Sequence, residues 1–353
     1  MQIIAVRERD LRSSIKICTG NAQLYTYLYD DLSARSRSCE SFFILKGASP
    51  MKRITAIILA TILALALFAG CTTEHEKSGA LKLTDMTGRE VALDRPAERI
   101  VALMPADCEI LYALGAGDTL VGRGEYCNYP AEISGVPAVQ SGNETNIEQI
   151  IALDPDVIIM SKMGQTVEQV EALSNAGIEV FVSDSQSIAD IYTTIELIGK
   201  LTGKDAKATE IANDMKAAFD KIKADSAAKA QNKTIYFETS PLEWGLWTAG
   251  KGTFMQEIAD MLCVKNIFDD VNGWAEVSAE QVISRNPDYI ITTAMYFGTG
   301  PLPDEEVKGR TGWGGISAVA NNGVFNANSD ELTIPSIRLV DGAQSLYNFI
   351  YGE

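Results

Sequence analysis

Two carboxylates at matched positions, one histidine and a scatter of aromatic and arginine side chains are the chemistry this sequence offers. Glu148 through Ile159 aligns without gaps onto Glu280 through Ile291 at a constant offset of 132, with seven identities in twelve positions, so Glu148 and Glu280 head two copies of one segment. Each also stands in the first turn of its expected helix, where the macrodipole favours a carboxylate whatever else it does. The single histidine, His75, removes most ways of building a zinc site, a histidine general base or a catalytic triad. No G-x-S-x-G nucleophile motif is present either. We expect a protein that is not an enzyme, with no metal and no cofactor of its own; a tethered extracytoplasmic enzyme is the alternative from another class.

The elements that must position these groups alternate. Short apolar runs at Arg99–Met104, Val157–Met160, Val180–Val182, Thr234–Phe237 and Tyr289–Ile291 suit buried parallel strands. Helices between them close on glycine: Cys108–Leu114 at Gly115, Val167–Asn175 at Gly177, Ile188–Leu201 at Gly203. In the duplicated segment a Pro-Asp pair stops each helix and starts each strand, which gives two similar α/β lobes; a common local solution arising twice is the plainer account. From Lys204 to about Ala230 neither Gly nor Pro interrupts a run of helix formers with Ile211, Met215, Phe219 and Ile222 on one stripe. A helix of that length can bridge two lobes, or lie on the surface of one.

At 353 residues, 46% hydrophobic and 8% aromatic, the chain has material for two ordinary domains and is neither disordered nor a coiled coil overall. Asp and Glu number 47 against 30 Lys and Arg, which argues against a nucleic-acid partner.

Met51, Lys52 and Arg53 precede an uncharged stretch from Ile54 to Gly70 and then Cys71, the layout of a signal peptide. Residues 51–70 are read as that signal and 71–80 as a polar tether. Residues 1–50 mix Arg, Ser and Tyr without a sustained period and are read as an untranslated or disordered extension. Beyond Cys71 only Cys108, Cys127 and Cys263 remain, an odd set without metal spacing, so no disulfide framework is expected.

Leu67-Phe68-Ala69-Gly70-Cys71 resembles a bacterial lipobox, with Phe68 where leucine is usual, and this implies lipidation of Cys71. Residues 81–353 resemble the class III solute-binding proteins of ABC importers, which carry iron-siderophores, haem and cobalamin. The resemblance rests on motifs in order: Thr84-Asp85 with Thr87 to Val91, Arg99 to Leu103, Glu109 to Asp118, Leu120-Val121-Gly122, Tyr129-Pro130, Asn146 to Asp156, Trp247 to Phe254, and Gly312-Trp313. It implies two Rossmann-like α/β lobes with parallel sheets, residues 81–203 and 232–353, joined by one long bridging helix over 204–231. It also implies that Glu148 and Glu280 dock onto arginines of a permease homodimer or heterodimer served by an ATPase.

Helix 108–114 follows Met104-Pro105-Ala106-Asp107, so its N-terminus is expected to face the cleft, where strands end. Loop residues at that level are Arg123, Tyr126, Trp244, Trp247, Trp274, Tyr296, Phe297, Asp330 and Arg338. Of these, Tyr126, Trp274 and Asp330 align with pocket positions of cobalamin-binding members. Trp and Tyr offer broad stacking faces with a polar tip, and arginine pairs with anionic groups; each also has a structural use, in a core or bracing the C-terminal helix. The ligand is expected to be a metal chelate, ranked as a ferric siderophore or other iron complex, then a corrinoid such as cobalamin, then tyrosine-ligated haem. The protein is expected to be monomeric, extracytoplasmic and held to the membrane through Cys71.

Overall fold

The structure, a computed structural model, describes residues 81–142, 144–294, 298 and 300–352. The extension, the signal, Cys71 and the tether lie outside the described residues, as do Tyr296 and Phe297.

Two parallel sheets carry the fold. The first has five strands in the order Ala138–Val139, Leu120–Gly124, Ile100–Ala102, Val157–Ser161, Glu179–Ser183, all parallel. The second has four, Lys265–Asn266, Thr234–Glu238, Tyr289–Thr292, Val324–Asn326, again all parallel. Their strands are nearly uninterrupted apolar runs because helices cover both faces; Val157 to Met160 are all fully buried. Sequence patterning finds the central strands of each sheet and misses the antiparallel hairpin Leu246–Ala249 with Trp274–Val277, whose two arms lie too far apart in the chain to read as one unit. The opening hairpin, Leu81–Thr84 with Glu90–Leu93, turns on Asp85, whose Oδ1 accepts from Thr87 N at 2.8 Å and Arg89 N at 2.9 Å. Its Oδ2 accepts from Val182 N, which ties the hairpin to the first sheet.

The duplication is physical. Asn146 and Ser278, again 132 apart, cap helices Ile147–Ala152 and Ala279–Arg285 by accepting from the backbone of Gln149 and Gln281. Asp154 and Asn286 leave those helices in the left-handed region, with φ of 47° and 45°, which short polar side chains tolerate. Asp156 then accepts from Glu98 N and Arg99 N, fixing the start of the neighbouring strand; Asp288 does the same for Thr234 N. Cap, turn and strand anchor recur in both halves, so one local solution positions both glutamates.

Helix Ile188–Thr202 ends on Gly203 at φ 67°, and the chain turns directly into helix Asp205–Ala227. The turn is tight: a Cβ on Gly199 would stand 2.5 Å from the Ala208 Cβ. At 23 residues the second helix runs about 35 Å. It packs against Ile188–Thr202, Phe254–Met261 and Leu339–Tyr351. Its buried stripe is Ala208, Ala212, Met215, Phe219 and Ile222; Ile211, expected in that stripe, is only partly buried.

Candidate functional site

A cavity of about 370 Å3 opens where strands of both sheets end, as carboxyl ends of parallel strands dictate. Met104 follows the central strand of the first sheet, while Ser161 closes its neighbour and Ser183 the edge strand beyond; Thr239 and Thr293 follow the two middle strands of the second. Trp244, Phe254 and Trp274 supply aromatic walls. Trp274 meets Phe254 edge-on, with ring centroids 5.5 Å apart, and its indole N–H has no hydrogen-bond acceptor among the described residues. No lysine, arginine or histidine is among the described lining residues.

Asp107 is the one titratable side chain among them. It sits at the third position of helix Pro105–Ala113, which starts three residues earlier than the sequence pattern predicts because Pro105 is accommodated in its first turn. The residue is 1% exposed, and among the described residues its carboxylate accepts only a long 3.4 Å bond from Ser183 Oγ. Burial pushes its pKa up to about 7, against the smaller lowering by Ser183. Folding therefore favours the protonated acid, and Asp107 costs stability as pH rises from the ordinary carboxylate range through 7.

Trp244 and Trp274, expected in the cleft, line this cavity. Five other candidates stand elsewhere. Trp247 lies in the strand Leu246–Ala249, 41% exposed and outside the lining. The Arg123 guanidinium donates to the carbonyls of Gly124, Cys127 and Ile133, at 3.2, 2.9 and 3.1 Å, so it staples its own loop. Tyr126, on that loop, is 72% exposed and outside the lining. Asp330 lies in helix Ser329–Thr333, with Oδ2 3.9 Å from Arg338; its neighbour Ser329 lines the cavity instead. Arg338 itself is a strut. Its Nε donates to Glu109 Oε2 at 3.0 Å, its Nη2 pairs with Glu109 Oε1, and its guanidinium covers the Tyr129 ring 4.1 Å from the centroid. Ser336 donates to the same Glu109. Residues following the second sheet thus clamp onto a helix of the first.

Asp107, Phe254 and Ser329 were not among the predicted site residues. Their signal is positional: each lies just past a strand or in a short helix at the cleft rim, and nothing in side-chain type marks them.

A second buried pair stands one residue before the cavity residue Thr239. Glu238, the last residue of its strand, receives both Nη groups of Arg310 at 2.7 and 2.8 Å, and Glu306 pairs with the same guanidinium. Burial works against the charge of Arg310, but bonds to the two carboxylates outweigh it and hold its pKa above the ordinary value. Burial pushes the Glu238 pKa up, against the lowering by its bonds to Arg310, and the bidentate geometry satisfies both of its carboxylate oxygens.

The model of the periplasmic binding protein family matches residues 100–331, from the central strand of the first sheet to the cleft-rim helix of the second. The chain belongs to that family. Members are solute-binding proteins, not enzymes. An ABC transporter substrate-binding lipoprotein of Bacillus subtilis is 32% identical over 318 residues, 86% of this chain and 99% of the relative. The vitamin B12-binding protein of Salmonella typhimurium is 30% identical over 254 residues, 71% and 90% of the two chains. Among solved structures, a possible iron-binding (periplasmic solute-binding) protein from Staphylococcus epidermidis superposes with a TM-score of 0.64 at 32% identity, over 73% of this chain and all of its own. Two parallel-sheet units with a cleft where their strands end are therefore the family fold in this chain.

Glu148 and Glu280 stand apart from the cavity lining, both exposed at the second position of their helices. The Glu280 carboxyl is held below its ordinary pKa by its own backbone N–H and by Ser278. Beside the two glutamates, Ile151 and Ile283 are 43% and 38% exposed, again at equivalent positions.

Proposed function

We propose that the chain is the extracytoplasmic, membrane-anchored substrate-binding component of an ABC importer, and that its ligand is an uncharged or cationic metal chelate of the corrinoid class. The observation that carries the ligand reading is the cavity wall, with Trp and Phe faces and no cation among its described residues. An anionic catecholate complex entering it would lose solvent and find no opposite charge, while both arginines expected to receive it are bonded elsewhere. That puts the corrinoid ahead of the siderophore, the reverse of the order drawn from sequence. An uncharged iron chelate is the second reading, favoured by the Staphylococcus epidermidis relative and compatible with the same wall.

The test is tryptophan-fluorescence titration of the purified protein with cobalamin, cobinamide, an uncharged ferric hydroxamate, a ferric catecholate and haemin. Saturable quenching by the corrinoids is expected, with Trp244→Phe and Trp274→Phe together removing most of the signal, because both are cavity walls whereas Trp313 is buried in a core. Quenching by the catecholate alone would sink the reading.

The lobes deliver the ligand to a two-subunit permease through Glu148 and Glu280, and the protein acts as a monomer. Cys71 carries the lipid. Replacing it by serine is expected to move the protein from the membrane fraction of cells to the soluble or secreted fraction, read by immunoblot. Retention in the membrane would assign anchoring to an uncleaved apolar stretch instead.

A further inference from the structure

Asp107 is an expensive residue to keep where it is. A buried carboxyl with one long hydrogen bond lowers stability, and a serine or asparagine there would cap the space at less cost. It has no structural partner to justify it, unlike the buried Glu109 and Glu238, each of which holds an arginine. It faces the cavity. Among the described residues the groups around it leave it without a counter-charge: Ser183 from the edge strand of the first sheet, the Cys108 thiol beside it on its own helix, held neutral by the Cys127 thiol and by burial, and otherwise uncharged lining residues from both sheets.

We propose that Asp107 is the specificity-determining residue of the cavity and that, as the protonated acid, it recognises a primary carboxamide of the ligand. The acid O–H donates to the amide carbonyl, and the acid C=O accepts from the amide N–H, so two hydrogen bonds form with no charge buried. Corrinoids suit this because their ring edge carries primary carboxamides. The inference rests on the corrinoid reading of the site and names the group by which the site selects within that class. The Ser183 hydroxyl stands 3.4 Å from Oδ2 and 3.2 Å from the Met160 carbonyl; with Oδ1 carrying the acid O–H toward the amide carbonyl, Oδ2 is the acid C=O and keeps a lone pair for the amide N–H. With the acid titrating at about 7, recognition is proton-linked. Raising the pH ionises the carboxyl, removes the donor and places an anion against the amide carbonyl, so affinity falls about tenfold for each pH unit above 7.

The experiment is equilibrium titration of the full chain, in detergent, with cyanocobalamin and with a corrinoid heptamethyl ester that lacks the amide N–H, at pH 6 and pH 8.5. The expected result is at least tenfold weaker cyanocobalamin binding at the higher pH, and weaker binding of the ester than of cyanocobalamin at pH 6. Asp107→Asn, which still donates and accepts, is expected to give a flat pH profile; Asp107→Leu is expected to lose at least tenfold at pH 6. If the leucine variant does not fold, the wild-type profile and the asparagine variant decide the matter. Equal wild-type affinity at the two pH values, or tighter binding at pH 8.5 as for a carboxylate facing a cation, overturns the role of Asp107 while leaving the corrinoid reading in place. No corrinoid binding at either pH overturns both.

Discussion

Replacing Arg338 by methionine is expected to lower the free energy of unfolding by about 3 kcal/mol, the low end for a broken buried ion pair. The low end applies because the Arg338 side chain keeps 12% of its surface, whereas Glu109 keeps 1%. The loss comes from the survivor: without the guanidinium, the Glu109 carboxylate stays buried with Ser336 as its remaining donor. Arg338 also gives up its contact with the Tyr129 ring. In the intact pair, hydrogen bonding to Glu109 outweighs burial and holds the Arg338 pKa above its ordinary value. Pairing Arg338→Met with Glu109→Leu removes both charges and is expected to recover most of the stability. Urea unfolding of the two single variants and the double variant gives the coupling directly; a double variant as unstable as the sum of the singles would show that the pair is not coupled.

The consequence reaches the cavity. Glu109 lies two residues after Asp107 on the same helix, and Arg338 follows the cavity residues Ile334 and Pro335. The strut therefore sets the distance between the two walls. Thermodynamically Arg338 is a bracing residue, and that explains why sequence placed it in the cleft: it stands three residues past the rim, and only the direction of its side chain separates bracing from binding.

Much of the fold is legible in the sequence because it is local. A cap, a Pro-Asp turn and a β-branched run determine where each duplicated strand begins, and the structure adds only the partners that Asp156 and Asp288 hold. Glycine at 203 and the absence of helix breakers after it identify the long helix for the same reason. The site is less legible because it is assembled from strand ends far apart in the chain. Trp244 and Trp274 stand out by type, but Asp107 looks like an ordinary first-turn acid, and its interest comes from burial, which no local pattern reports. Arg123 shows the converse. Its type suits an anion site, yet three carbonyls around its own loop take its Nε and Nη1 donors.

Reversing both matched carboxylates, Glu148→Lys with Glu280→Lys, is expected to weaken docking to the permease by roughly a hundredfold or more while leaving the ligand Kd within about twofold. Each reversal exchanges a charge-assisted contact for like-charge repulsion, worth about 1.5 kcal/mol or more, and the two sites are independent enough to add. Ligand affinity is spared because neither glutamate lines the cavity. Folding is spared as well, since both side chains are exposed and the helix caps that hold them, Asn146 and Ser278, are untouched. The exposed Ile151 and Ile283 lie one turn further along the same helix faces, so each glutamate is offered beside an apolar contact. Binding to permease in proteoliposomes, with uptake of the loaded ligand, provides the readout. The single variants carry further information: equal losses identify two equivalent permease subunits, and unequal losses identify two different ones, because a duplicated surface on one chain meets whatever symmetry its partner has. Undiminished uptake by the double variant would remove the docking role from both glutamates and leave them as helix-terminal carboxylates.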